Sequence, residues 1–169
     1  YITMTQQINY KRIASQTLTS WALDSLLYVS TSFGCTNMTS MLLSIGADIH
    51  TKDYQGKNAL HWAAEYGHTD TVRFLLDRGA DLNATDYQGD TPINLAAQFR
   101  HPNTTQLLLD HGADLKKSDN WGDTPLHTAA EYGQTDTAQL LLDIGVDIEA
   151  TDDYNRTPLH LAAEFGHTY

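Results

Sequence analysis

Apolar residues in this chain fall into short groups separated by polar stretches. In "TDTVRFLLDRG" (residues 69–79), Val72, Leu75 and Leu76 make one stripe at helical spacing. In "TPINLAA" (residues 91–97), Ile93, Ala96 and Ala97 share one face of a second, shorter helix. Ala is small there, so adjacent helices can approach closely. Thr91 is placed to cap the free amides of that helix, and Pro92 at its first position gives up no needed donor. Gly67, Gly133 and Gly166 read as left-handed stops after the short helix. Gly79, Gly112 and Gly145 stop the longer one. The polar "ADLNATDYQG" (residues 80–89) has turn chemistry at its end and reads as an extended, projecting finger.

The pattern is periodic. Asp53, Asp86, Asp119 and Asp152 stand 33 residues apart, as do Gly56, Gly89 and Gly122, with Asn155 in the fourth copy. Leu60, Ile93, Leu126 and Leu159 keep the step, and so do the pairs Ala63/Ala64, Ala96/Ala97, Ala129/Ala130 and Ala162/Ala163. One period further back, Gly34 and Gly46-Ala47-Asp48 match Gly67 and Gly79-Ala80-Asp81. Residues 20–52 are therefore a divergent first repeat, as expected where one face meets water. Full repeats cover 53–85, 86–118 and 119–151, a partial one covers 152–169, and residues 1–19 match nothing. Arg100 stands where a stop glycine belongs, which predicts a strained or altered helix end, with Pro102 changing the next turn. The start at Tyr1 and the halt at Tyr169, before a second helix, suggest a piece of a longer protein or a frayed end.

"GDTPLHTAA", followed by "LLLDIGVDIEATD", resembles the ankyrin repeat with its T-P-L-H-x-A core, and "DYNRTPLHLAAEFGH" looks the same. Asn58-Ala59 for Thr-Pro and Asn94 for His are the departures. The resemblance implies an all-α solenoid of stacked helix-turn-helix units with β-hairpin or finger loops. It also implies a non-catalytic module that binds a protein through the concave face and the finger tips. Carried over, the contact positions are Tyr54, Gln55, Lys57, Glu65 and Tyr66, then Tyr87, Gln88, Asp90, Gln98 and Phe99. Asn120, Trp121, Asp123, Glu131 and Tyr132 follow, and finally Asp153, Tyr154, Arg156, Glu164 and Phe165. Phe33, Tyr66, Phe99, Tyr132 and Phe165 form one aromatic column, divided between packing and recognition. Trp121 is the best single anchor. Asn83, and His50 one period before it, resemble the sites that ankyrin substrates offer to asparaginyl hydroxylases. A turn Asn closing its own backbone is the plainer reading of Asn83. The alternative role is a targeting or regulatory array of a larger enzyme, channel or effector.

Charge narrows the partner. Lys and Arg number 10 against 21 Asp and Glu, a net −11, which argues against a nucleic-acid phosphate backbone and for a protein with a basic patch. No apolar run is long enough to span a membrane. No catalytic, cofactor or metal motif is present: His61, His127 and His160 repeat too far apart for one zinc ion and read as structural. His68 and His167 read as local hydrogen-bonding groups, while His50, His101 and His111 take no role from the pattern. The N-x-[ST] matches at Asn37, Asn83, Asn103 and Asn155 read as chance. The single cysteine, Cys35, reads as a small buried apolar group in a reducing, cytoplasmic or nuclear setting, and the chain is expected to be a monomer.

Overall fold

The computed structural model of the chain describes residues 20–167. Helix α1 covers 20–32 and α2 Thr36–Ser44. The pairs that follow are α3 (Ala59–Glu65) with α4 (Thr69–Asp77), α5 (Pro92–Gln98) with α6 (Pro102–Asp110), and α7 (Pro125–Glu131) with α8 (Thr135–Ile144). Helix α9 is Pro158–Glu164. Helices α3, α5, α7 and α9 stack in one row, and α2, α4, α6 and α8 in a second, which makes an all-α solenoid. The described residues contain no strand. Each hairpin finger reduces to a turn, closed in the first full copy by the Asp53 amide donating to the Lys57 carbonyl at 2.9 Å.

The core follows the period. Ala63, Ala64, Ala96, Ala97, Ala129 and Ala130 are buried where α3, α5 and α7 press together. Val72 and Leu75 are fully buried in α4, while Leu76 is only partly covered. Helix α5 is buried over the whole of Pro92–Ala97 rather than on one face, because α3, α6 and α7 enclose it. Leu159 is exposed on α9, beyond which no further helix is described.

Polar residues bind the units to one another. The ring of His61 receives the Asn58 amide on Nδ1 at 3.2 Å, and its Nε2–H donates to the Asp90 carbonyl of the next unit at 3.2 Å. His127 takes the Thr124 hydroxyl on Nδ1 at 2.8 Å and donates to the Arg156 carbonyl at 3.1 Å. Burial drives the His61 pKa down to about 4, which favours the neutral ring. The structural reading of these rings holds. The role of Thr91 does not: its hydroxyl goes to Asn94 Oδ1 rather than to a free amide. Asn58 caps its own helix α3, with Oδ1 accepting the Leu60 and His61 amides at 3.0 and 3.1 Å.

A second ladder was not legible as one. His68, His101 and His167 donate from Nε2 to the carbonyls of Ser32, Glu65 and Glu131 at 2.8–2.9 Å, each 36 residues earlier. These contacts join units, so the local role expected for His68 and His167 is corrected, and His101 gains a role. Gln134 fills the same place, its amide reaching the Gln98 carbonyl at 2.9 Å. Each imidazole lies over the stop glycine of the unit before; a Cβ on Gly67 would stand 2.3 Å from His101 Nδ1. Arg100 has such a Cβ, and the position that carries an imidazole over the other stops is here Gln134. Cys35 heads the same column. It is exposed rather than buried, because no described unit precedes α1 to cover it.

Arg100 does adopt the left-handed conformation, at φ 64°, but the helix end is otherwise unaltered: the His101 amide reaches the Ala96 carbonyl at 3.0 Å, as His68 reaches Ala63 at 2.9 Å. Pro102 takes an ordinary first-turn position in α6, so the turn is not changed. Its effect lies elsewhere. Thr36 pairs with Thr71 and Thr69 with Thr104, each at 2.8 Å between hydroxyls. Pro102 has no hydroxyl to continue that series, and the buried Thr137 hydroxyl is left unpaired.

The Arg100–Gln134 match makes a testable double-mutant cycle. Gln134→His alone should destabilise the chain by driving an imidazole into the Arg100 Cβ, and Arg100→Gly should recover the loss in the double variant. Urea melts should give a coupling of about 0.5–3 kcal/mol; additive effects would refute the match.

Candidate protein-interaction surface

Each finger tip is held by the aspartate that marks the period. Asp119 Oδ1 accepts the Trp121 and Asp123 amides, both at 2.8 Å, and Asp53, Asp86 and Asp152 clasp their own tips in the same way. Neighbouring tips are then registered by one backbone bond each: Tyr87 to Gln55, Asn120 to Gln88, and Asp153 to Trp121, at 2.9–3.0 Å. A Cβ on Gly89 would lie 2.7 Å from the Asn120 amide, which is why the third tip position is glycine. Asn155, at φ 58°, tolerates the same backbone in the fourth finger.

The clasped tips carry exposed aromatics: Tyr54 is 84 % exposed, and Tyr87 and Tyr154 are exposed on their own fingers. The aromatic column from Tyr66 to Phe165 is about half exposed, from 44 % at Tyr132 to 51 % at Tyr66. Trp121 is 45 % exposed. A cleft of about 430 Å³ opens at the third finger and reaches the second and fourth, lined by Asp90, Asp119, Trp121, Asp123, Glu131 and Tyr132, among others.

Comparison with known proteins decides the family. A family model described as ankyrin repeats in three copies matches residues 93–169, and one described as ankyrin repeats in many copies matches residues 60–109. The chain belongs to the ankyrin repeat family. A search of curated proteins returns no match. Ankyrin repeats are in general protein–protein interaction modules and are typically non-catalytic.

Within the ankyrin stack, the positions carried over from the family separate into two kinds. Tyr54, Gln55, Tyr66, Tyr87, Gln88, Phe99, Asn120, Trp121, Tyr132, Asp153, Tyr154 and Phe165 are exposed. Lys57 is engaged with Glu65 at 2.6 Å and lies over the Trp62 ring, and Arg156 is engaged with Asp152 and Glu164 and lies over Tyr154. Asp90 and Asp123 are buried, and Gln98 and Glu131 are partly covered. Asn83 does not close its own turn, which Asp81 Oδ1 holds by accepting the Asn83 amide at 3.0 Å; its side-chain oxygen instead accepts the Asp114 amide of the next unit at 3.0 Å, and its backbone carbonyl takes Lys117 Nζ. His50 is exposed, with its amide on Asp48 Oδ1. His111 closes the end of α6, its Nδ1–H donating to the Leu107 carbonyl at 2.8 Å. No group of His, Cys, Asp or Glu among the described residues is arranged to hold a metal ion, and no described helix is long and apolar enough to cross a membrane.

The groove is strongly acidic at its centre. Burial, reinforced by Asp86 and Asp119, pushes the Asp90 carboxyl up to about 7. Burial, reinforced by Asp119, Asp152 and Glu131, does the same to Asp123, with Arg156 opposing. Burial also raises Asp119 and Glu131. Sequence reasoning marked Asp90 and Asp123 as contact positions, but burial, which it does not supply, is what makes their chemistry unusual.

A pH dependence follows. Asp90 and Asp123 ionise at 3.8 as free groups and at about 7 in the fold, so between those values the folded state binds more protons. Their ionisation therefore costs stability as pH rises from 3.8 to 7, and the cost is constant above that. The double variant Asp90→Asn/Asp123→Asn should melt higher than the parent at pH 8. The gap should narrow as pH falls through 7 and close below about 4. Thermal melts across that range check it; a gap independent of pH would refute the assignment.

Proposed function

We propose that the chain is a non-catalytic recognition module that holds a protein partner along the concave face and finger tips of its ankyrin stack, and that the partner presents a basic patch there. The observation that carries the reading is the row of half- to fully exposed aromatic side chains on backbone that is itself fixed: Trp121 is exposed while its amide is held by Asp119 and its carbonyl by the Asp153 amide. Anchors set on a rigid frame lose little conformational freedom on binding, so more of the contact energy appears as affinity. Aromatic groups with an apolar body and a polar tip are the residues that dominate interface energetics. The acidic groove sets the sign of charge that such a partner carries.

Trp121→Ala tests this by affinity capture with the intact chain. The indole N–H makes no hydrogen bond among the described residues. Truncation should therefore leave the melting temperature nearly unchanged while costing about 2 kcal/mol of partner affinity, the size of an interface hot spot. Partner capture that survives Trp121→Ala, Tyr54→Ala and Tyr87→Ala together would remove the concave face from the account.

A further inference from the structure

We propose that the cleft at the third finger seats one cationic side chain of the protein partner, a guanidinium or an ammonium group, against the carboxylate of Asp123. The inference rests on the concave face being the binding surface and names what that face takes at its centre.

The starting observation is an unpaired atom. Asp123 is 7 % exposed, lines the cleft, and has a buried Oδ1 with no hydrogen-bond partner. A buried carboxylate oxygen without a donor is costly, and folded proteins rarely leave one so. The other carboxylates of the cleft, Asp90, Asp119 and Glu131, are acceptors when ionised and supply no donor to it. Asp119 spends Oδ1 on its finger tip, and no side-chain donor among the described residues reaches Glu131. Arg156 is the one cation lining the cleft among the described residues, and it is held by Asp152 at 2.6 Å and Glu164 at 3.2 Å.

The chain itself shows what fits such a place. Position 123 belongs to the column Lys57, Asp90, Asp123, Arg156. In the first full unit, Lys57 pairs with Glu65 at 2.6 Å and sits 5.0 Å from the centre of the Trp62 ring. In the last, Arg156 pairs with Asp152 and Glu164 and sits 5.1 Å from the centre of the Tyr154 ring. Both ends thus complete a carboxylate–cation–aromatic arrangement from within. In the third unit the counterpart of Glu65 and Glu164 is Glu131, aromatic walls stand at Trp121 and Tyr132, and the column supplies Asp123 in place of a cation. The chain provides two of the three components, and the partner's side chain completes the set. A cleft of about 430 Å³ admits a single long side chain but not a folded element. The aromatic walls favour an organic cation, which can lie over a ring face, and no metal-binding group is present among the described residues. Seating a positive charge there also offsets the burial that raises the Asp123 carboxyl.

The test is a titration of the intact, 15N-labelled chain with N-acetyl-arginine methylamide, followed by NMR. The uncharged citrulline analogue serves as control, and the matching lysine derivative distinguishes the two cations. A cation derivative should shift the Trp121 indole and the Asp119–Asp123 amides saturably, and citrulline should not. Asp123→Asn, nearly isosteric and replacing a side chain that makes no hydrogen bond, should keep the native spectrum and weaken the titration about tenfold or more. Absence of saturable shifts, equal shifts with citrulline, or undiminished binding to Asp123→Asn would each overturn the proposal. Partner capture separates the two readings. If Trp121→Ala loses the partner while Asp123→Asn keeps it undiminished, the cation seat falls and the binding face stands. If the combined aromatic variant keeps it, the binding face falls.

Discussion

Every unit of this stack buries polar atoms that only its neighbour can satisfy. His61 Nε2 needs the Asp90 carbonyl, His127 the Arg156 carbonyl, and the Ser32, Glu65, Gln98 and Glu131 carbonyls are met from the following unit. A helix pair alone would expose its apolar face and strand these groups, so apolar burial and polar satisfaction arrive together as units add. The alanine faces of α3, α5 and α7 set how close the units come, and the hydrogen bonds set how they are turned. Without both, the finger tips would have no common register.

The departures from the repeat obey the same constraint. Asn58 replaces a threonine and takes over capping with its own side-chain oxygen. Arg100 replaces a glycine, accepts a left-handed backbone, and meets a glutamine where other units present an imidazole. Pro102 is the departure without compensation, since the Thr137 hydroxyl stays unpaired. Only at Arg100 does the next unit carry the matching change, at Gln134.

The finger-tip cleft follows a different logic. Its carboxylates Asp90 and Asp123 are buried among like charges, where they destabilise the fold at neutral pH. Local optimisation for stability would place a cation or a neutral residue there, as the column does at Lys57 and Arg156. Groups with strongly shifted pKa values cluster at functional sites, which is what makes this cleft the candidate. The frame around them is rigid, so the charge and the aromatic walls are presented rather than assembled on contact.

How far the sequence could be read depended on which forces act locally. The 33-residue step, the helix stops at Gly67 and Gly133 and the alanine contacts were legible because each reflects a local conformational demand or a helical stripe repeated in register. The candidate surface was read from the positions where the repeat varies, and the sequence did not separate the exposed ones from buried Asp90 and Asp123. Contacts between units were not. His68 looked local and Cys35 looked buried because a distance of 36 residues along the chain says nothing about which carbonyl or which open end lies opposite. The period by itself determined the helices, their order and their stacking, since those follow from propensity and apolar spacing. Only the tertiary structure decided that Asp123 is a buried, unpaired carboxylate while Lys57 and Arg156 are paired, because burial and partnership belong to the space between units and not to any one of them.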